Sequence, residues 1–95
     1  MRVSIGFLGM LRDQLGQKSL DVDLPDGAGV SEFMDAIAPL IEQKAAWAWD
    51  RENRRFASRV VVTKKDAAGV QGKFDPDVPF ADGEEILVFM PIAGG

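Results

Sequence analysis

The spacing of apolar residues changes period along this chain, from alternation to a three-to-four-residue repeat and back. Residues 2–11 (RVSIGFLGML) are almost continuously apolar. Val3, Ile5 and Phe7 alternate with Ser4, Gly6 and Leu8, a set that is itself small or apolar. This pattern predicts a strand covered on both faces for part of its length. Residues 19–24 (SLDVDL) place Leu20, Val22 and Leu24 against Asp21 and Asp23, the signature of a strand with one wet face. Residues 12–18 contain Gly16 and are short enough for a hairpin connection. Pro25-Asp26-Gly27 ends the second strand with turn chemistry.

From Val30 the period lengthens. Val30, Phe33, Met34, Ile37 and Ala38 fall at i, i+3, i+4, i+7 and i+8, one face of an amphipathic helix. Either Gly29 or Ser31 can cap it, and with Gly29 as cap Glu32 lies in the first turn, where the helix dipole favours a carboxylate. Pro39 lacks a backbone N–H and crowds the preceding turn. It predicts a kink, or the first position of a second short helix over residues 39–49. Trp47 and Trp49 are two apart and cannot share a helix face, so one should fill the core while the other lies near the surface.

Residues 58–63 (SRVVVT) read as a β-branched strand. Residues 64–83 are rich in turn residues, with one short edge strand around 70–74. Residues 85–90 (EILVFM) are apolar on both faces, and Pro91 stops them by removing a ladder donor. The first and last strands are the two with apolar residues on both faces, so they belong at the centre of one sheet. The intervening helix supplies the crossover that parallel pairing needs. The expected fold is α+β: a mixed β-grasp sheet packed on one main helix, with residues 1–91 as the domain and 92–95 as a flexible tail.

Composition narrows the chemistry. The 95 residues are 46% hydrophobic and 27% charged, the composition of one small globular domain. There is no stretch near the roughly 18 apolar residues of a membrane span, and no cleavable signal pattern opens the chain, so a cytoplasmic protein is expected. The chain has no His, Cys or Tyr. It therefore offers no thiolate or imidazole metal ligand, disulfide, Cys nucleophile or Ser–His pair. Net charge is −4, the wrong sign for a general nucleic-acid binder. Basic residues gather at Arg51, Arg54, Arg55, Arg59, Lys64 and Lys65. Acidic ones gather at Asp66, Asp75, Asp77, Asp82, Glu84 and Glu85. These two lobes read as a solvated surface or as an electrostatic docking face.

Short motifs add little. Gly6-x-x-Gly9 lacks the Gly-Lys-Ser/Thr of a phosphate loop and reads as core packing. Asp75-Pro-Asp77 lacks the Gly and terminal Glu of a calcium loop and reads as a turn. The final Pro91-Ile92-Ala93-Gly94-Gly95 is different. Five residues reach about 16–18 Å, and the last two carry no Cβ, so such a tail suits a channel too narrow for side chains.

The sequence resembles the ubiquitin-like sulfur carriers, MoaD and ThiS, and most of all MoaD, the small subunit of molybdopterin synthase. The resemblance covers the whole chain in order and length. Its most specific part is Phe80-Ala81-Asp82-Gly83-Glu84-Glu85 followed by the apolar strand, Pro91, Ile92, Ala93 and Gly94-Gly95. Phe7…Leu11-Arg12…Leu15-Gly16 also resembles that family's strand and short helical turn. Two features depart from the pattern: Phe89-Met90-Pro91 stands where many MoaD proteins have Phe-Pro-Pro, and no Asn accompanies Val61-Val62-Thr63.

The resemblance implies a carrier without catalysis of its own and without a bound cofactor or metal. A ubiquitin-activating-like adenylating enzyme would use ATP to adenylate the Gly95 carboxylate, with Gly94 beside it. A sulfur donor enzyme would convert the adenylate to a thiocarboxylate, and the large subunit of molybdopterin synthase would receive the tail. Thiamine or cysteine synthesis are other destinations, and a covalent protein modifier is the rival reading. Docking is expected through Phe7 or Leu8 on the first strand, Phe89 or Met90 on the last, and Pro91, Ile92 and Ala93, with Asp82–Glu85 as an acidic rim. Neither nucleic acid nor membrane is an expected partner.

Overall fold

The computed structural model of the chain describes residues 1–91. The expected tail, Ile92, Ala93, Gly94 and Gly95, lies outside the described residues. The main sheet has five strands in the order β2-β1-β7-β5-β6. These are β1 (Arg2–Phe7), β2 (Ser19–Asp23), β5 (Val61–Lys65), β6 (Gln71–Lys73) and β7 (Glu85–Phe89). β1 and β7 pair in parallel at its centre, with Ser4 beside Glu85 and Phe7 beside Val88. The remaining pairs are antiparallel. The mixed sheet on one long helix is the β-grasp arrangement expected from the pattern.

Helix α2 (Val30–Lys44) lays Phe33, Met34, Ile37, Ala38 and Ile41 onto Val3, Ile5, Phe7, Ile86 and Val88, and all ten are buried. Gly29 is its N-cap, and the Glu32 carboxylate accepts from the Gly29 N–H at 2.9 Å. Pro39 does not open a second helix: the helix runs through it. Proline frees the carbonyl of Asp35, but Asp35 and Pro39 are both exposed, so water can satisfy that group. The buried stripe continues on either side of Pro39 and outweighs the local defect.

The initial apolar run divides. Gly9, with φ +59°, turns the chain out of β1 and into α1 (Gly9–Leu15). Leu11 and Leu15, four apart, are buried beneath it. The connection over residues 12–18 is thus helical as far as Leu15, the short helical turn that the resemblance implied. Periodicity alone missed it because a short apolar run does not distinguish a strand end from a helix start. The helix expected to reach residue 49 ends at Lys44. A 3₁₀ turn, Ala46–Ala48, follows, then a two-stranded ribbon of β3 (Trp49–Asp50) and β4 (Arg55–Phe56) that no periodicity announced. Two-residue strands are too short to carry a pattern. Trp49 is buried edge-on against Phe56, and the exposed Trp47 donates to Gln14.

Strand β5 begins and ends later than residues 58–63. Ser58 and Arg59 form the turn before it, and the ladder continues with Lys64 opposite Ile86 and Lys65 opposite Glu85.

Candidate functional site

Three segments distant in sequence meet at one end of the sheet. Because β1 and β7 run in parallel, the end of β1 lies beside the end of β7. The Leu8 N–H donates to the Val88 carbonyl at 3.1 Å, which holds Leu8 there as the chain turns into α1. Because β5 runs antiparallel to β7, Val61 lies opposite Phe89, and the turn carrying Arg59 arrives at the same end. Leu8, Gly9, Met10, Arg59, Phe89, Met90 and Pro91 line a groove of about 790 Å³ there. Leu8 is 45% exposed and Met10 54%, unusual for side chains of this size in a small domain. Arg59 is the one charged residue in the lining, and no acidic group forms an ion pair with it among the described residues.

Alternation along β7 decides which side chains face out. Ile86 and Val88 point to the helix, so Glu85, Leu87 and Phe89 point to the other face. Leu8, Phe89, Met90 and Pro91 thus lie where a docking surface was expected. Phe7 does not: it is 1% exposed, inside the core, because it shares the inward face with Val3 and Ile5. Ile92 and Ala93, like Gly94 and Gly95, lie outside the described residues.

The expected acidic rim is also displaced. Glu85 opens β7 and Phe89 closes it, a separation of four residues or about 13 Å along a strand. Asp82 accepts from the Arg2 N–H at 2.7 Å, at the far end of β1. Glu84 is buried, accepting from the Ala81 N–H and pairing with Lys64. The charge beside the groove is instead the positive Arg59. Gly9 and Met10 join the lining without having been expected there, and Arg59, expected in a basic lobe, lies instead at the edge of an apolar groove. The only signal for them is the pairing of strand ends, which periodicity does not contain.

The basic lobe is dispersed as well. Arg54 pairs with Asp35, and Lys64 with Glu84. Two carboxylates are held below the usual range, Asp23 by its hydrogen bond from Arg2 and Asp50 by hydrogen bonds from Asn53. Neither lines the groove; they brace a strand edge and a turn. Asp75-Pro-Asp77 is a turn, with the Asp77 N–H donating to the Asp75 carboxylate at 2.9 Å. Gly6 lies against Leu87, whose Cδ2 is 2.9 Å from where a Cβ would stand, so its role is packing. Among the described residues no group of three or more carboxylates could hold a metal ion, and no helix is long and apolar enough to cross a membrane.

Comparison with solved structures places the fold. The chain is similar to SAMP1 from Haloferax volcanii, with a TM-score of 0.74 and 19% identity, covering all of both chains. It is similar to a putative molybdopterin converting factor, subunit 1, from Pyrococcus furiosus, with a TM-score of 0.62 and 19% identity over 97% of this chain and 99% of that one. It also matches, over the whole of both chains, a structure of the complex of subunits 1 and 2 of molybdopterin-converting factor from Helicobacter pylori, with a TM-score of 0.53 and 15% identity. No protein-family model matches the chain, and no curated protein matches it by sequence. The shared feature is the ubiquitin-like β-grasp fold.

Proposed function

We propose that this chain is a cytoplasmic carrier of an activated C-terminal glycine, and that the cargo is sulfur for molybdopterin synthesis. The Gly95 carboxylate attacks the α-phosphorus of ATP on an adenylating enzyme, and pyrophosphate leaves. A sulfide-level nucleophile from a sulfur donor enzyme then attacks the acyl carbon, and AMP leaves. The product is a thiocarboxylate, the nucleophile that a chain without Cys or His otherwise lacks. Gly94 keeps the approach narrow. The large subunit of molybdopterin synthase takes the tail while the groove of Leu8, Met10, Phe89, Met90 and Pro91 holds the domain against it. The observation that carries this reading is the position of that apolar groove, at the end of the strand that leads into Ile92-Ala93-Gly94-Gly95.

Intact mass spectrometry tests it. Incubation with the adenylating enzyme, ATP and sulfide should replace one oxygen by sulfur at the C-terminus, and deleting Gly95 should abolish that change without altering the fold. No mass change with an enzyme proven active on another carrier overturns the proposal.

A second reading draws support from the likeness to the small archaeal modifier protein SAMP1, from Haloferax volcanii and from Methanosarcina acetivorans. Here the amine of a target protein's lysine attacks the Gly95 adenylate, AMP leaves and an amide forms. Conjugates of high mass that resist thiol reagents and vanish on Gly95 deletion would establish it.

A further inference from the structure

We infer that Arg59 selects the partner, by requiring a carboxylate set among apolar side chains in whatever protein segment covers the groove. The inference rests on reading this face as a docking surface. Its lining is Leu8, Met10, Phe89, Met90 and Pro91 with a single charge, Arg59. Arg2, Arg12, Arg54 and Lys64 have acidic partners in the chain, and of the basic residues that form no such pair among the described residues Arg59 is the one that lines the groove. Arg59 forms no such pair among the described residues, and the acidic turn is at the opposite end of the strand.

A guanidinium on an open surface keeps its water and needs no partner. Once an apolar segment covers the groove, that water leaves. An unpaired charge is then costly, whereas a carboxylate in bidentate contact restores the lost hydrogen bonds. Arg59 therefore penalises a purely apolar or basic partner and admits an acidic one. The alkyl stem can lie along the apolar lining while the fork meets the acid. The occupant is a protein segment with two or more large apolar residues flanking one Asp or Glu.

The test uses the full chain, labelled with ¹⁵N, and two capped peptides, Leu-Phe-Glu-Leu-Phe and its Gln isostere. The Glu peptide should shift the amides of Leu8, Met10, Phe89 and Met90 and the Arg59 Nε–H. The Gln peptide should bind about tenfold more weakly, and Arg59→Gln should erase the difference. Equal affinity of wild type for both peptides, or shifts elsewhere, overturns the inference. So does self-association through the same residues on concentration. Tighter binding of the Glu peptide, by about tenfold, to a full-length chain whose Gly95 carboxyl is amidated would assign the groove to the chain's own C-terminal carboxylate instead.

A second arm measures affinity for a molybdopterin synthase large subunit. Arg59→Glu should weaken it by about 100-fold or more, with Arg59→Gln between. If wild type does not bind that subunit while the peptide preference holds, the molybdopterin destination fails and the role of Arg59 stands. If wild type and Arg59→Glu bind it equally, the role of Arg59 fails and the carrier reading stands.

Discussion

Lys64 Nζ lies 3.2 Å from Glu84 Oε2, a pair joining β5 to the residue that precedes β7, with side chains only 14% and 9% exposed. Lys64 also sits over the Phe80 ring, and Glu84 accepts from the Ala81 N–H. The pair thus fastens the Asp82-Gly83 turn to the sheet and sets where β7 starts.

Removing one member leaves the other largely buried and unpaired. Lys64→Met or Glu84→Gln alone should cost about 2–4 kcal/mol, and the double variant should recover much of that loss. Urea denaturation of the four proteins measures the cycle. Additive losses would mean the pair is not coupled.

Phe7 and Phe89 give opposite outcomes for the same substitution. Phe7→Asp puts a charge in the core, costing several kcal/mol of the roughly 5–15 kcal/mol available to such a domain, and should unfold it. Phe89→Asp faces outward and should keep the fold while weakening large-subunit binding by about tenfold or more. Circular dichroism and calorimetric titration separate the two. A folded Phe89→Asp protein with unchanged affinity would place the docking face elsewhere.

Trp49 is buried with its Nε1–H unpartnered among the described residues, packed edge-on at 5.4 Å from Phe56. Phenylalanine keeps an aromatic ring and removes the desolvated donor. Trp49→Phe should lie within about 1 kcal/mol of wild type, while Trp49→Ala loses about 3–5 kcal/mol. Equal losses for the two would show that the indole N–H has a partner.

Asp50 accepts from both the backbone and side-chain N–H groups of Asn53, which hold its carboxyl below the usual range. A carboxyl depressed in the folded state stabilises the protein above the unfolded value of about 4, and that contribution is lost as pH falls through the folded value. Asn53→Ala should move the Asp50 midpoint upward in a carboxyl NMR titration. It should also flatten the acid limb of the stability curve. An unmoved midpoint would show that the side-chain amide contributes nothing.

The elements were legible in the sequence because each is a local repeat: Val3-Ile5-Phe7 for β1, Phe33-Met34-Ile37-Ala38 for α2 and Ile86-Val88 for β7. Apolar residues on both faces of the first and last strands also placed those strands at the centre of the sheet. The division of the first run at Gly9 escaped, because six to ten apolar residues suit a strand or a helix equally until neighbours choose. The second-helix alternative at Pro39 failed because a local rule ignores the buried stripe on either side of it.

The groove was legible in part: central pairing of the first and last strands already brought Leu8 towards Phe89, Met90 and Pro91, whereas Met10 and Arg59 join them only in the tertiary structure. Leu8, Arg59 and Phe89 become neighbours only through the parallel register of β1 with β7 and the antiparallel register of β5 with β7. Alternation in sequence states that successive residues face opposite ways; packing against α2 decides which face is inside. That choice buries Phe7, turns Phe89 outward and leaves the acidic turn at the far end. The chemistry available to the chain follows from its residue types, whereas the place where a partner can grip it follows from strand register.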